Sequence, residues 1–268
     1  MKYRRITSTS NPLIKGTLST LKKHRRERPA MVLIEGVHLI EAALTAGAHM
    51  DSVFFTASLA DGEEGRKMLE ALPRKGDSFF EVSDKVMDRL SDTESPQGIV
   101  AVVSYQPLML QEVSTSAPPL VAVLDGVQDP GNVGTIIRTS DAAGADTVVL
   151  LPGTCDPFMP KPLRASAGSV FSIPVVETEL APFMKWMKDR SMKLVVTAAD
   201  ATDTLYDTDL ARPLAFAFGN EARGVSGELR EAADLALRIP IYGRAESLNV
   251  GSAAAICLYE AVRQRRNR

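Results

Sequence analysis

Cysteine is scarce in this chain: only Cys155 and Cys257 occur among 268 residues. Two thiols so far apart supply neither a disulfide framework nor a metal-ligand spacing, which points to a reducing compartment. The three histidines, His24, His38 and His49, are spaced neither as ligands nor as members of a triad, and no metal site is read. No apolar run reaches the length of about 18 residues that a spanning helix needs. No G-x-G-x-x-G follows a strand-like stretch and no G-x-x-x-x-G-K-[ST] loop occurs, so nicotinamide and nucleoside-triphosphate chemistry drop away. The opening MKYRRITSTSNP lacks the apolar core of a signal peptide, and Asn11-Pro12 interrupts any amphipathic transit helix. A cytoplasmic protein is expected.

What is present suits a globular chain of one large or two modest domains, with 45% apolar and 24% charged residues. The net charge of −2 does not announce nucleic acid, but its distribution is uneven. Residues 1–30 carry nine basic side chains, among them Arg4, Arg5, Lys15, Lys22, Lys23, Arg25 and Arg26, against the single Glu27. Arg263, Arg265, Arg266 and Arg268 crowd the last six positions. Such clusters either form solvated faces or neutralise phosphates with release of counterions. Aromatics are sparse among them, which favours backbone and shape contacts over base stacking.

Apolar periodicity divides the chain. A helix is read over 10–29, with short strands at 31–36, 52–57, 79–83 and 98–105 and helices near 38–46, 63–72 and 84–91. Residues 106–118 lose periodicity, end in two prolines and read as a linker between domains at 1–105 and 119–268. The second domain opens with LVAVLDG, an almost continuous apolar run of the kind found in strands covered on both faces. Similar runs at 147–152, 193–199, 214–219 and 235–241 alternate with helical stretches at 132–143, 181–190, 225–233 and about 247–265. The expectation is an α/β protein whose larger, C-terminal domain holds a parallel sheet with crossover helices.

Three segments of that domain run from a strand into a Gly/Asn-rich turn and then a helix: LDGVQDPGNVGTIIRTSDAAGA (124–145), FAFGNEARGVS (216–226) and IPIYGRAESLNVGSAAAICLYEA (239–261). Such strand ends surround the ligand crevice of a parallel sheet. Asp129-Pro130-Gly131 forces a turn, and Asn132 reads as a helix N-cap. Arg138 lies roughly 9 Å further along that helix, on an otherwise small or apolar stretch whose one charged neighbour is Asp141. Glu221 follows a buried strand directly, where α/β enzymes place working groups; pairing with Arg223 is the plain alternative. Ser247 reads as the N-cap of the last helix, whose small residues Gly251 to Ala255 allow close packing.

Together the segments resemble the three signature motifs of the SpoU/TrmH family of RNA 2′-O-ribose methyltransferases, knotted SPOUT enzymes that use S-adenosylmethionine. Residues 6–44 and LSDTESPQGIVAVV (90–103) are similar to the family's N-terminal, L30e-like substrate-binding domain, and KPLRASAGSVFSIPV (161–175) is similar to the stretch between its first two motifs. Ala222 stands where the family often has Gly, and Gly251 where it often has Ser; neither change removes a polar group.

The resemblance implies a deep trefoil knot formed by the chain around 239–266, and a homodimer with the active site beside the interface. It implies a catalytic group of Asn132, Arg138, Glu221, Ser247 and Asn249. S-adenosylmethionine would lie against Thr197, Phe218, Gly219, Asn220, Gly224, Ile239, Ile241 and Leu248, with Asn132, Glu221 and Asn249 orienting Arg138 and the ribose. The expected activity is methylation of a ribose 2′-hydroxyl in RNA, with 23S ribosomal RNA favoured. A tRNA 2′-O-methyltransferase and a non-catalytic RNA-binding or ribosome-assembly protein of the same fold are the alternatives. Arg4, Arg5, Lys15, Lys22, Lys23, Arg25 and Arg26 are the candidate RNA contacts.

Overall fold

A computed structural model describes residues 3–23, 30–72 and 78–267. The chain divides into two compact units, Met1–Pro107 and Leu108–Arg268. The strands of the first unit are β1 (Arg4–Ile6), β2 (Ala30–Glu35), β3 (His49–Thr56), β4 (Phe79–Val82) and β5 (Ile99–Tyr105). They form one sheet in the order β1-β4-β3-β5-β2. β1, β4 and β3 are parallel, whereas β5 runs antiparallel to β3 and to β2. Its helices are α1 (Pro12–Lys23), α2 (Val37–Thr45), α3 (Ala57–Asp61), α4 (Glu63–Ala71) and α5 (Asp84–Leu90).

β1 has no periodicity to read: its RRI offers only Ile6 to the core, where it meets Ile14, Phe80, Val82, Val86 and Leu90. The helix expected over 10–29 starts at Pro12, after Asn11, whose side chain accepts from the Leu13 N–H at 2.9 Å. Its last expected residues, with Arg25 and Arg26, lie outside the described part, as do the side chains of Lys22 and Lys23.

The second unit contains β6 (Leu120–Asp125), α6 (Pro130–Ala142), β7 (Thr147–Leu150), α7 (Pro160–Ser166), α8 (Ser169–Ser172), β8 (Val175–Glu177) and α9 (Leu180–Lys188). β9 (Lys193–Thr197), β10 (Asp203–Thr204), β11 (Leu214–Gly219), α10 (Gly227–Ala232), β12 (Leu235–Arg238) and α11 (Val250–Arg266) complete it. All seven strands are parallel, in the order β10-β12-β9-β11-β6-β7-β8. The apolar run of β6 is buried on both faces, as are β7 and β11. Each of their large apolar side chains contributes about 1.5–3 kcal/mol by leaving water.

Connections after β6 proceed toward β7 and β8, while those after β11 proceed toward β12 on the other side. The loops leaving β6 and β11 therefore diverge from adjacent strand ends and open a crevice, the usual ligand position in such sheets. α11 then packs on both α6 and β11.

Two sequence readings change here. Residues 106–118 are more than a tether, because Leu110 and Val113 are buried in the core of the second unit with Val121, Trp186 and Met187. The arginines at the C-terminus are partly committed to the fold. The Arg263 guanidinium pairs with Glu260 at 2.7 Å, and Arg265 donates to the carbonyls of Pro118, Pro119 and Arg212 at 2.7–2.8 Å.

Gly134 sets the spacing of α6 and α7. A Cβ there would sit 2.5 Å from the Pro162 carbonyl oxygen and 2.9 Å from the Ser166 nitrogen. Backbone on backbone cannot yield cheaply, so Gly134→Ala is expected to cost about 1–3 kcal/mol. Gly16, inside α1 with nothing within 4 Å of its virtual Cβ, predicts the opposite sign: Gly16→Ala stabilises by about 0.5–1 kcal/mol. Urea unfolding of both variants checks the pair.

Candidate active site

The three turn segments converge at the crevice. Pro130 takes the first helical turn of α6, and Asp129, not Asn132, is its N-cap: the Asp129 carboxylate accepts from the Asn132 N–H at 2.9 Å. That bond is the main reason the Asp129 carboxyl is held below its ordinary value, with Lys161 assisting at 3.5 Å. Asn132 thus stands one turn inside the helix and is buried, with its amide free to face the other two segments.

The turn after β11 is closed on itself. Asn220 N–H donates to the Gly224 carbonyl at 2.9 Å and Gly224 N–H returns to the Asn220 carbonyl at 2.8 Å, with Gly224 at φ 71°. The fold-back is so close that a Cβ on Gly219 would lie 2.1 Å from the Gly224 carbonyl carbon. Only glycine is possible at that point. The Asn220 side chain braces the turn, accepting from the N–H groups of Ala222 and Arg223 and donating to the Gly126 carbonyl at 2.9 Å.

This brace presents Glu221 to the β6–α6 loop. Its carboxylate accepts from the N–H groups of Gln128 and Asp129 at 3.2 and 3.0 Å and from the Asn132 amide at 2.9 Å. Partial burial would raise its pKa, but these donors outweigh it and hold the group below 4.5, so it is ionised at neutral pH. Glu221 makes no ion pair with Arg223, the plain alternative from the sequence.

Asn132 passes the contact on. Its carbonyl oxygen accepts from the Asn249 amide at 2.9 Å, while the Asn249 oxygen accepts from the N–H groups of Gly251 and Ser252. Asn249 is therefore the N-cap of α11, correcting the reading of Ser247. The result is one hydrogen-bonded run, Glu221–Asn132–Asn249, linking three segments across sequence separations of 89 and 117 residues.

Beside this run lies a cavity of about 590 Å³ at the carboxyl ends of β9, β11 and β12. Of the residues expected at the cofactor, Thr197, Gly219, Asn220, Gly224, Ile239, Ile241 and Leu248 line it, together with Glu221, Ser247 and Asn249. Ala198, Ala199, Leu237, Val250 and Ala253 also line it and escaped the sequence reading, because small and apolar side chains carry no chemical signal. Phe218 does not line it: its side chain is fully buried in the sheet against Phe216, leaving only its main chain near the site.

Arg138 also differs from expectation. It is exposed and makes no hydrogen bond or ion pair among the described residues, so Asn132, Glu221 and Asn249 orient one another and not Arg138. It falls on the α6 stripe Thr135–Arg138–Ala142 (i, i+3, i+7). α11 packs along that stripe, with Gly251 against Thr135 and the Tyr259 hydroxyl donating to the Ala142 carbonyl at 3.4 Å. In the first unit, Arg4 is exposed, Arg5 pairs with Glu81 at 3.3 Å, and Lys15 lines a separate cavity.

Residues 119–259 match the SpoU rRNA Methylase family, and residues 11–101 match an MRM3-like substrate binding domain. The chain is 36% identical over 256 residues to a 23S rRNA (guanosine-2′-O)-methyltransferase of Bacillus subtilis, RlmP, covering 96% of this chain and 98% of the relative. Among solved structures, an AdoMet-bound rRNA methyltransferase from Sinorhizobium meliloti superposes with a TM-score of 0.84 at 33% identity, covering 97% of this chain and 98% of that one. The SpoU methyltransferase AviRb from Streptomyces viridochromogenes, in complex with AdoMet, gives 0.83 at 29% identity over 94% and 97%. With its three motif turns joined around one cavity, the chain belongs to the SpoU rRNA methylase family.

Proposed function

We propose that this protein methylates a ribose 2′-hydroxyl of 23S ribosomal RNA with S-adenosylmethionine as donor. The observation that carries the reading is the Glu221–Asn132–Asn249 run at the rim of the 590 Å³ cavity. The cavity fits the donor chemically. Among the described residues its lining holds the carboxylate of Glu221 and no lysine or arginine, with apolar Ile239, Ile241 and Leu248 beside Gly219. Such a site favours a ligand of net positive charge with an apolar ring and disfavours a nucleoside polyphosphate. When bound, S-adenosylmethionine supplies a sulfonium methyl that a 2′-oxygen takes by in-line displacement.

In this reading Gly219, Ile239 and Leu248 contact the donor, and Thr197, Asn220, Gly224 and Ile241 complete its pocket. The interlocked amides of Asn132 and Asn249, anchored by ionised Glu221, hold the strand-end turns in one geometry and present polar groups to the ribose. Ser247 shapes the loop over the pocket. Arg138 holds the phosphate beside the target ribose and stabilises the developing alkoxide. The first unit grips the RNA. The trefoil knot around 239–266, a homodimer with the active site beside its interface, and a cytoplasmic location belong to the same reading. No helix among the described residues is long and apolar enough to cross a membrane.

Mapping 2′-O-methyl positions in total RNA with and without the protein tests the function directly: one 23S position is expected to lose its mark. Arg138→Ala is expected to lower kcat by about 100-fold or more, and full activity at saturating RNA would remove Arg138 from the mechanism. A guanidinium acting as base would make Arg138→Lys titrate near the lysine range in a pH–rate profile. Charge stabilisation instead leaves the profile of that variant flat there.

Glu221→Gln places an amide N–H₂ against donors and is expected to cost about 100-fold in rate by misplacing Asn132. Because folding lowers the Glu221 pKa from its ordinary 4.5, its ionised form stabilises the protein above that pH, and this contribution fades as pH falls through the depressed value. The stability gap between wild type and Glu221→Gln should therefore be constant above pH 4.5 and narrow below it. Thermal melts across that range read it out.

A further inference from the structure

The first unit holds a second, differently charged cavity. β1 and β4 are parallel neighbours in the register Ile6↔Val82, so the helices that follow them, α1 and α5, begin at the same end of the sheet. Both pack on it through one apolar cluster that includes Ile14, Val86, Met87 and Leu90. The residues next to Ile14 and Leu90, Lys15 and Arg89, are thereby turned outward at the same place.

A cavity of about 440 Å³ lies between them, lined by Thr9, Ser10, Lys15, Leu18, Ser19 and Arg89. Among the described residues its lining is two cations, three hydroxyls and one leucine, with no carboxylate. Neither Lys15 nor Arg89 has an ion-pair partner among the described residues, whereas Arg5 and Lys67 of the same unit are paired with Glu81 and Glu63. The turn before α1 is held by local bonds: the Asn11 N–H donates to the Ser8 carbonyl at 3.1 Å, and Ser10 N–H donates to the Ser8 hydroxyl oxygen at 3.2 Å.

Two like charges facing one concave space repel, and an entering anion turns that repulsion into attraction. Hydroxyls beside a guanidinium and an ammonium are the donors that phosphate oxygens accept from. Among the described residues no aromatic side chain lines the space, and none of them offers a base a ring to stack on. We infer that the Lys15–Arg89 cavity binds a phosphate group, supplied by the backbone of the RNA substrate and read without regard to base sequence. The inference rests on the RNA reading above for the source of the phosphate, and on the cavity alone for its chemistry. Lys15 stands out in the sequence as one of a basic run; Arg89, 74 positions later, does not.

The test measures binding of a 23S rRNA fragment at several KCl concentrations, for wild type and for Lys15→Ala/Arg89→Ala. A parallel arm titrates inorganic phosphate by calorimetry. Removing this one phosphate contact should lower the slope of log K against log salt by about 0.7–0.9, and abolish the phosphate heat. Lys15→Arg/Arg89→Lys should restore both. Arg89→Ala alone should weaken the phosphate heat and lower the slope by up to the same amount, which keeps the test usable if the double variant folds poorly. An unchanged slope with lost phosphate binding would make this a free-anion site and overturn the RNA assignment. An unchanged slope with unchanged phosphate binding would overturn the site altogether. If wild type binds no 23S rRNA, the proposed function fails first, and the calorimetric arm still decides whether the cavity takes phosphate.

Discussion

The site depends on a single carboxylate being held where three other groups need it. Two backbone N–H groups at the end of the β6–α6 loop and one side-chain amide all point at Glu221. Hydrogen bonds to a charged acceptor are about twice as strong as neutral ones. Losing the carboxylate would leave donors facing each other across the crevice. Because Asn132 must give its N–H₂ to Glu221, its oxygen is left for Asn249, and Asn249 must then use its own oxygen to cap α11. Each amide orientation follows from the one before it. The order of these bonds, more than any individual strength, is what locks three distant turns together.

That lock in turn rests on steric permission. Gly219 lets the turn after β11 fold back within contact of its own backbone, and Asn220 stitches the turn to Gly126. A side chain at Gly219 would push Glu221 off its donors. Gly134 does similar service on the other face of α6, where α7 approaches through its main chain. The glycines are thus part of the electrostatics: they set the distances over which the polar groups act.

The two units carry opposite electrostatic solutions. The cavity of the second is lined by one carboxylate and otherwise by neutral groups, a setting suited to a cationic donor. The cavity of the first is lined by two cations and hydroxyls, a setting suited to phosphate. A nearly neutral chain, net charge −2, conceals this separation, since the whole-chain sum averages over both surfaces. Arg138, unpaired among the described residues and exposed on α6, stands six positions after Asn132.

Much of this was legible in the residue pattern. The apolar runs of β6, β7, β9 and β11 declare buried parallel strands, because a strand covered on both faces admits almost no polar residue. The Gly/Asn-rich turns after them mark the ligand crevice, because few other residues allow such tight reversals. The stretch from 153 to 178 was opaque: its short helices and the three-residue β8 are too brief to show a period. The identity of the caps was misread for a related reason. Asp129 and Asn132, or Ser247 and Asn249, are equally good caps by composition, and only the path of the chain decides between them. Local chemistry thus determined the fold class and the residues available for work. Tertiary structure alone decided that Asn132 faces Glu221 and Asn249 while Arg138 stands apart, and that Lys15 and Arg89 line one cavity. Such pairings depend on which strands lie side by side, and strand order is set by the burial of the whole sheet and not by any stretch of sequence within it.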